Sequence, residues 1–363
     1  RLHDIETNKK EKVFLETICT QLRTSNIKRL YSCKSENFEL IPGSPISYWV
    51  PREIRDIYNK NYFMFDVDNA GVDIDRESES IGNVKQGLAT GKNERFVHYH
   101  WENSCLNGDN IELFPFAKGG EETWVLPKVH YVLDWKSNGK ELKRYKGSVT
   151  RNEDFYFQEA ITFNLIKTKD GRRFGFLNKN SIFDVAGSVF IPEESNKMWN
   201  YISYLNSYLG NYLVLCQTPE RQWNVGNISR LPWKNSISNS KVGELSKKIA
   251  GLLLSLRRYE FDSPYYVEPL LLTSFNVNLN LKLYADHTYR NLLEELECIN
   301  LKSENIKKGS SLVEIYNEIQ KYWSKIEKLL QDNYDKTNKL IFKQFNIKEE
   351  IQQEIIDEIQ LRM

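Results

Sequence analysis

Apolar residues change their spacing along the chain, and the first 80 residues have a mixed character. Residues 13–22 place apolar side chains at helical spacing, which predicts a helix there. The prolines and glycine of residues 38–50 exclude a helix and predict an extended, turning segment. Pro51 suits the first turn of a following helix that runs through Ile57. Residues 61–80 are polar and acidic, which is typical of a loop.

From residue 81 to about 235, short apolar runs alternate with turns that contain Gly and Asn. This pattern is typical of β-structure. One helical interruption is predicted over 198–216, where apolar residues recur on one face. The apolar runs are Phe96–His100, Tyr131–Trp135, Ile161–Ile166 and Ser181–Val185.

After Pro232 the pattern becomes helical again. Val242–Arg258 forms one predicted helix, and residues 286–363 contain at least three helical stretches. Residues 301–363 hold 11 basic and 11 acidic side chains, so this end is neutral and is expected to pack on protein rather than on DNA.

These patterns predict an α+β fold in three parts. The parts are an N-terminal helical and extended linker at 1–80, a β-rich domain at 81–235 and a helical C-terminal region at 236–363. A chain of 363 residues is long enough for two or three such cores.

Charge is balanced overall but unevenly distributed. The chain has 50 Lys and Arg against 49 Asp and Glu, so the average gives no sign of nucleic-acid binding. Residues 66–79 are acidic, whereas residues 221–258 are basic. The basic stretch has two interpretations, a solvated helix face or a flank that contacts phosphates. Its cations are Arg221, Arg230, Lys234, Lys241, Lys247, Lys248, Arg257 and Arg258, against Glu244 alone.

Cysteine content and hydropathy favour a reduced cytoplasm as the compartment. The five cysteines are widely separated and no CxxC pair occurs, which argues against both a disulfide framework and a zinc site. The sequence has no signal peptide and no apolar run of the ~18 residues that a membrane span needs. Because the chain starts at Arg1, we expect it to be a segment of a longer protein.

Several partial motifs occur in the sequence, but none of them predicts a metal site or a catalytic site. Asp66 begins a partial match to an EF-hand loop, but Ala70 stands where an oxygen ligand is needed, so a solvated acidic loop is favoured. His98 and His100 lack a third ligand. Residues 262–265 read Asp-Ser-Pro-Tyr and resemble the (Asn/Asp/Ser)-Pro-Pro-(Tyr/Phe) loop of amino-methyltransferases, but they lack its first proline and predict a turn that ends a helix.

One constellation does suggest binding. Residues 85–96 form a polar loop with two glycines that runs into a predicted strand. Its Lys, Gln, Thr, Asn and Arg side chains suit base edges and phosphates, and glycine lets a backbone approach a ligand closely. An ordinary polar hairpin has the same composition. The 13% aromatic content is ambiguous in the same way, since the rings suit either a core or a stacking surface.

Several segments, taken in order, resemble the PglX-type methyltransferases of BREX phage-defence systems. Those proteins carry a "QGLATGDNxRF" segment, a "PYxKGG" segment and a "RNEDYYF" segment in this order. Related type IIG restriction–modification enzymes share the layout. The matching segments here are Ile41–Trp49, Gln86–Phe96, Phe114–Gly120, Trp135 with Asn138-Gly139, Gly147–Phe157, Phe183–Ser188 and Trp223–Ile228.

The resemblance implies that the parent protein transfers a methyl group from S-adenosylmethionine to adenine N6 in a specific DNA sequence. It also implies that residues 81–235 are the target-recognition domain. The cofactor glycine motif and the catalytic Asn-Pro-Pro-Tyr are missing here. We therefore expect the chain itself to be inactive, with no catalytic residue and no cofactor of its own.

Fourteen residues are predicted to contact double-stranded DNA. For each of them the alternative is a structural role, such as a turn or the closing of a hairpin by Asn152. Tyr48 and Trp49 are expected to pack in a core or between domains rather than to stack on bases. The stronger candidates are Lys85, Gln86, Thr90, Lys92, Asn93 and Arg95. The second group is Lys118, Arg151, Asn152, Arg172, Arg173, Arg221, Gln222 and Asn224.

The sequence is compatible with three functions. The first is DNA-target recognition beside the parent's catalytic domain, with the target adenine flipped toward that domain. The second is a protein-interaction module whose helical C-terminus docks other defence-system subunits. The third is an independent enzyme whose site matches no known motif.

Overall fold

A computed structural model of the chain has the α+β fold that the sequence predicts. It describes residues 16, 19, 20, 34–59, 63–68, 70, 80–104, 112–120, 122–165, 173–218, 222–267, 269, 270, 295–301, 306 and 309–362. Its strands are β1 (Phe63–Met64), β2 (Gly82–Lys85), β3 (Val97–Tyr99), β4 (Leu113–Ala117), β5 (Tyr131–Asp134), β6 (Ala160–Phe163), β7 (Phe174–Leu177), β8 (Ile182–Phe183), β9 (Val189–Pro192) and β10 (Pro232–Trp233). Its helices are α1 (Arg52–Asn59), α2 (Asn93–Phe96), α3 (Lys136–Arg144), α4 (Met198–Leu205), α5 (Tyr208–Gln217), α6 (Val225–Ser229), α7 (Val242–Arg257), α8 (Leu312–Gln344) and α9 (Glu349–Arg362).

The strands form two four-stranded sheets. The central sheet has the order β2-β9-β6-β7 and is antiparallel throughout. The outer sheet has the order β3-β5-β4-β8, in which β4 and β8 are parallel. A separate short ribbon pairs β1 with β10.

The central sheet is buried on both faces, which makes it the middle layer of the molecule. Successive side chains of a strand point to opposite faces. Accordingly Phe163 and Phe190 lie in a core shared with the helices. Their neighbours Ala160 and Val189 lie in a second core, which is shared with the outer sheet. Strands buried in this way read as continuous apolar runs, as β6, β7 and β9 do.

The predicted helix over 198–216 is two helices, α4 and α5, that break at Asn206. The Asn206 side chain acts as an extra partner for β7, since its Oδ1 accepts from the Phe174 N–H at 3.2 Å and its Nδ2 donates to the Phe174 carbonyl at 2.8 Å. Ser207 then caps α5 by accepting from the Gly210 N–H at 3.0 Å. The break therefore ties the helical layer to the edge of the central sheet.

The C-terminal helices belong to the same core as α4 and α5. Tyr322 on α8 donates to the Ser255 carbonyl on α7 at 2.8 Å, and Ile326 and Ile341 of α8 are fully buried. Helix α8 begins with a capping box between Ser311 and Glu314. The predicted helix over 242–258 is confirmed as α7. The domain boundary at 235/236 stays a prediction, and the larger core crosses it.

The N-terminal segment matches its prediction in part. Phe38 ends a short 3-10 helix, residues 39–50 form turns and irregular backbone, and α1 follows directly after Pro51. Of residues 13–22, only 16, 19 and 20 are described, and they are helical. The loop predicted over 61–80 contains β1, whose Phe63 pairs with Trp233. Trp49 packs at the edge of the larger core, whereas Tyr48 is half exposed.

Among the described helices, none is both long enough and apolar enough to cross a membrane.

The middle layer should dominate stability. We expect Phe190→Ala to lower the free energy of unfolding by about 3–5 kcal/mol, because the ring is fully buried. It lies 4.6 Å from the Phe65 ring and 5.4 Å from the Tyr201 ring, between centroids. Phe261→Ala is the matched control, since that ring is 84% exposed and its loss should cost less than about 0.5 kcal/mol. Urea unfolding measures both, and equal midpoints for the two variants would contradict a buried middle layer.

Candidate nucleic-acid interface

The polar loop singled out by sequence lies between β2 and α2, and its backbone is fixed by two distant segments. Ala89 and Val149 exchange backbone hydrogen bonds of 2.8 and 2.9 Å. On the other side, the Leu88 N–H donates to the Phe183 carbonyl at 3.1 Å, and the Val185 N–H donates to the Leu88 carbonyl at 3.0 Å. Residues 88 and 89 thus form backbone hydrogen bonds as a strand would, although residues 86–92 do not belong to a strand.

Two glycines permit this close packing. A Cβ on Gly87 would lie 1.8 Å from the Phe183 carbonyl oxygen, which no side chain can tolerate. Gly91 has a φ of +70°, and a Cβ there would lie 2.6 Å from the Gly147 carbonyl carbon. Glycine is required at both positions, by space at the first and by space and conformation at the second.

A further motif segment joins the same place. The Asp184 N–H donates to the Ala117 carbonyl at 2.9 Å. Gly119 has a φ of +80° and packs against Ala186, whose carbonyl oxygen would lie 2.5 Å from an added Cβ. Four of the segments quoted above therefore meet in one place. We call residues 86–92, 117–120, 147–152 and 183–187 the loop cluster.

The exposed rim beside the 86–92 loop carries Lys92, Asn93 and Arg95. Thr90 is buried and donates its hydroxyl to Asn93 Oδ1 at 2.6 Å, so it orients Asn93 rather than facing solvent. Arg95 forms an exposed ion pair with Glu141, and its guanidinium lies 5.5 Å from the centre of the Tyr145 ring.

Gln86, Arg151 and Asn152 meet on the other rim of the loop cluster. Asn152 has a φ of +53°, and its Nδ2 donates to the Gln86 carbonyl at 2.8 Å. Arg151 Nη1 donates to Gln86 Oε1 at 3.2 Å, and the Arg151 side chain remains exposed. Asn152 thus holds the Gln86 backbone across the loop cluster rather than closing a hairpin, and the Arg151 side chain remains exposed.

Lys85 and Lys118 are half-buried and have partners within the protein. Lys85 Nζ lies 3.7 Å from Asp66 and 5.0 Å from the centre of the Phe155 ring. Lys118 Nζ lies 5.2 Å from the centre of the Tyr131 ring. Burial raises the pKa of Asp184, whereas Lys118 opposes that rise.

Arg173 does not fit the DNA contact predicted for it, because its side chain is buried. The guanidinium lies 3.7 Å from the centre of the Trp223 ring, and desolvation lowers the pKa of Arg173 to about 9. Asn224 caps α6 in a reciprocal pair with Asn227, and Gln222 is exposed. Arg172 and Arg221 lie outside the described residues.

The basic stretch 221–258 is occupied largely by packing, which disfavours its interpretation as a phosphate flank. Lys234 donates to the Gln344 carbonyl at 2.6 Å, and Lys247 pairs with Glu295 at 2.6 Å. Arg257 is buried, and its guanidinium lies 3.5 Å from Glu122. Of the described cations of this stretch, Lys241 and Lys248 are exposed.

Sequence reasoning missed a more accessible basic surface on α3. Lys136, Lys140 and Arg144 line an open cavity of about 270 Å³, together with Phe96 and the acids Asp134 and Glu141. The signal was present in residues 136–146, which hold five cations and one acid. In sequence, Asn138-Gly139 indicates only a turn and hides the helical placement of these cations.

Aromatic rings also form an exposed stack at the edge of the outer sheet. The Tyr99 ring is stacked on Trp101 at 4.5 Å and on Tyr131 at 5.1 Å, between centroids. Tyr99 and Trp101 are both exposed by 40% or more. Part of the high aromatic content therefore lies at the surface, while most of the other rings lie in the cores.

Two of the motifs set aside have structural partners. Asp66, the first residue of the EF-hand-like stretch, is buried and accepts from the Val84 N–H at 2.7 Å. Residues 71–79 lie outside the described residues. Asp262 lies in the turns that follow α7, and Tyr265 in the same turns donates its hydroxyl to the Pro127 carbonyl at 2.9 Å.

Comparison with known proteins gives two relatives and no match to a family model. One relative is the "Adenine-specific methyltransferase BrxX" of Escherichia coli O9:H4 (strain HS), 26% identical over 221 residues, which is 58% of this chain and 16% of that protein. The other is the "Adenine-specific methyltransferase PglX" of Lacticaseibacillus casei (strain Zhang), 25% identical over 308 residues, which is 79% of this chain and 23% of that protein. The chain therefore spans less than a quarter of the length of these relatives. The matches confirm the resemblance to PglX-type methyltransferases.

The packing of the loop cluster can be tested at its tightest glycine. We expect Gly87→Ala to lower the free energy of unfolding by about 2–3 kcal/mol, because the Phe183 backbone must move to admit the methyl group. Gly120→Ala is the control, since Gly120 has open space and a φ of +84°, so only conformational strain of about 1 kcal/mol is expected. Hydrogen exchange at the Leu88 and Val185 amides would report the loop directly. Unchanged protection in Gly87→Ala would contradict the close approach.

Proposed function

Because the chain is a relative of PglX-type adenine-specific methyltransferases, we propose that it recognises the DNA target for such an enzyme. In this proposal the loop cluster reads duplex DNA in a phage-defence system of the BREX type. Double-stranded DNA and the parent's catalytic domain are its partners, and the cytoplasm is its compartment.

The observation that carries the proposal is the convergence of the motif segments. Segments separated by up to about a hundred residues in sequence, from residue 86 to residue 187, are tied together through backbone hydrogen bonds. Their rims carry the exposed side chains of Lys92, Asn93, Arg95 and Arg151. Binding residues are typically found on loops that a rigid scaffold positions. A rigid loop bearing Asn and Arg is suited to bidentate contacts with adenine and guanine edges.

The division of roles follows from the partners of each side chain. Thr90 and Asn152 hold the loop and its neighbour in place. The exposed side chains of Asn93, Arg95 and Arg151 are assigned to base edges, for which Arg95 exchanges its exposed ion pair with Glu141, and Lys92 is assigned to a phosphate. The target adenine would then flip into the parent's catalytic domain.

Catalysis and S-adenosylmethionine binding are assigned to the parent rather than to this chain. The relatives are named as methyltransferases, and the chain covers at most 23% of either one. In this chain, the sequence lacks both the cofactor glycine motif and the Asn-Pro-Pro-Tyr motif. Methyl transfer to DNA by the 363-residue chain alone would contradict this assignment and favour an independent enzyme.

A protein-interaction module is the second candidate, and one observation favours it. The first turns of α8 expose Leu312, Val313 and Tyr316. Exposed apolar residues grouped in this way are typical of protein-binding surfaces. In this alternative the helical C-terminus docks other defence-system subunits, and contact with DNA is minor.

Selection from a random duplex library tests the first proposal. We expect the chain to bind DNA at low salt and to enrich one sequence motif. Asn93→Ala with Arg95→Gln should erase preference at one or two positions of that motif, at a cost of about 1–3 kcal/mol each, while general binding persists.

The control combines Asn317→Ala with Gln320→Glu, both at exposed positions of α8. This pair should leave the enriched motif unchanged. Absence of low-salt binding by both the chain and the protein with its catalytic domain restored would refute the proposal. Retention of the full motif by the loop variant would remove Asn93 and Arg95 from the reading surface.

A further inference from the structure

The start of α3 has an unusual backbone that is built around one tryptophan. Ser137, Asn138 and Gly139 all have left-handed conformations, with φ values of 50°, 58° and 66°. Asn138 Oδ1 accepts from the Trp135 indole N–H at 3.1 Å, and a Cβ on Gly139 would lie 2.6 Å from the Trp135 ring. The buried tryptophan therefore fixes the turn that directly follows Lys136.

Three cations face the cavity that this turn borders. Lys140 and Arg144 are four residues apart on α3 and so share one side of the helix, and Lys136 lines the same cavity. We call Lys136, Lys140 and Arg144 the α3 ridge. All three side chains are exposed, and none of them forms an ion pair with another described residue.

Two acids, Asp134 and Glu141, also line the cavity, and neither forms an ion pair with a ridge cation. Glu141 pairs with Arg95 of the neighbouring helix α2, and Asp134 Oδ1 accepts from the Lys136 N–H at 3.1 Å. Lys143, in the same helix, behaves differently, because it pairs with Glu153 at 2.5 Å and lies 5.1 Å from the centre of the Trp135 ring. Helix α3 thus has one cation, Lys143, that stabilises the fold. The three cations of the ridge remain accessible to an external anion.

The ridge is continuous with the proposed reading surface. Phe96 lines the cavity, and Arg95, the residue before it, is bonded to Glu141 on α3. A duplex lying against the 86–92 loop would pass beside the ridge. Unpaired cations side by side repel one another, and a row of phosphates relieves that repulsion.

We propose that the α3 ridge binds the phosphate backbone of duplex DNA and supplies affinity that does not depend on sequence. This rests on the proposed function and adds to it a separate, non-reading contact surface. Its partner is a row of phosphates, recognised by charge rather than by base edges.

The salt dependence of binding tests the ridge. Anisotropy of labelled duplexes of unrelated sequence would be measured between about 50 and 200 mM salt. In the 363-residue chain, Lys136→Gln, Lys140→Gln and Arg144→Gln together should reduce the slope of log affinity against log salt by about 2–3, since each phosphate contact contributes about 0.9. The loss should be similar on every duplex. The variant with Lys136→Arg, Lys140→Arg and Arg144→Lys should keep the wild-type slope.

The matched control is Lys248→Gln, Lys325→Gln and Lys336→Gln, which removes the same charge from exposed positions of α7 and α8. It should retain most of the wild-type slope. A ridge variant with the wild-type slope would overturn the ridge while leaving recognition by the loop cluster intact. A loss confined to one duplex would also overturn it, because the ridge would then read sequence. If the wild-type chain and its parent bind no duplex at all, the proposed function fails and the ridge fails with it.

Discussion

The structure depends on one constraint, namely that the central sheet is apolar on both faces. Phe163, Phe174 and Phe190 must be covered on one side, and Ala160 and Val189 on the other. Because burial of apolar surface is the dominant favourable term in folding, the sheet specifies two covering layers. The helices supply the first, and the outer sheet with its connecting loops supplies the second. The loop cluster is a consequence, since it lies where the strands of the outer sheet meet the ends of the middle layer.

The same constraint explains why the backbone of the motif segments is so closely packed. The 86–92 loop leaves β2 of the central sheet and immediately packs against Phe183 of the outer sheet, so its backbone crosses between layers. At such a crossing, backbone meets backbone without intervening side chains. Gly87 and Gly119 stand at these approaches. The glycines of these motif segments thus have a packing cause, and the same backbone contacts position the exposed polar residues beside them.

What the sequence predicted, and what it did not, follows from the range of the interactions involved. Periodicity indicated β6, α7 and the helix after Pro51, because each is set by local spacing of apolar residues. The break at Asn206 was missed, since its cause is a hydrogen bond to Phe174, 32 residues away. Likewise Arg173 looks like a surface cation in sequence, and only the packing of Trp223 against it explains its burial.

Two stretches of similar basic composition differ in how their cations are placed in the folded chain. The basic stretch 221–258 and the α3 segment look alike in sequence, and each is rich in Lys and Arg. In the folded chain, Lys234, Lys247 and Arg257 are engaged with neighbouring helices or loops. Among the described residues, the α3 cations that line the cavity form no ion pair, and the nearby acid Glu141 is paired with Arg95. A net charge of +1 therefore conceals a local excess of positive charge at the α3 ridge. The excess arises in the folded chain, where Glu141 is paired with Arg95 and not with a ridge cation.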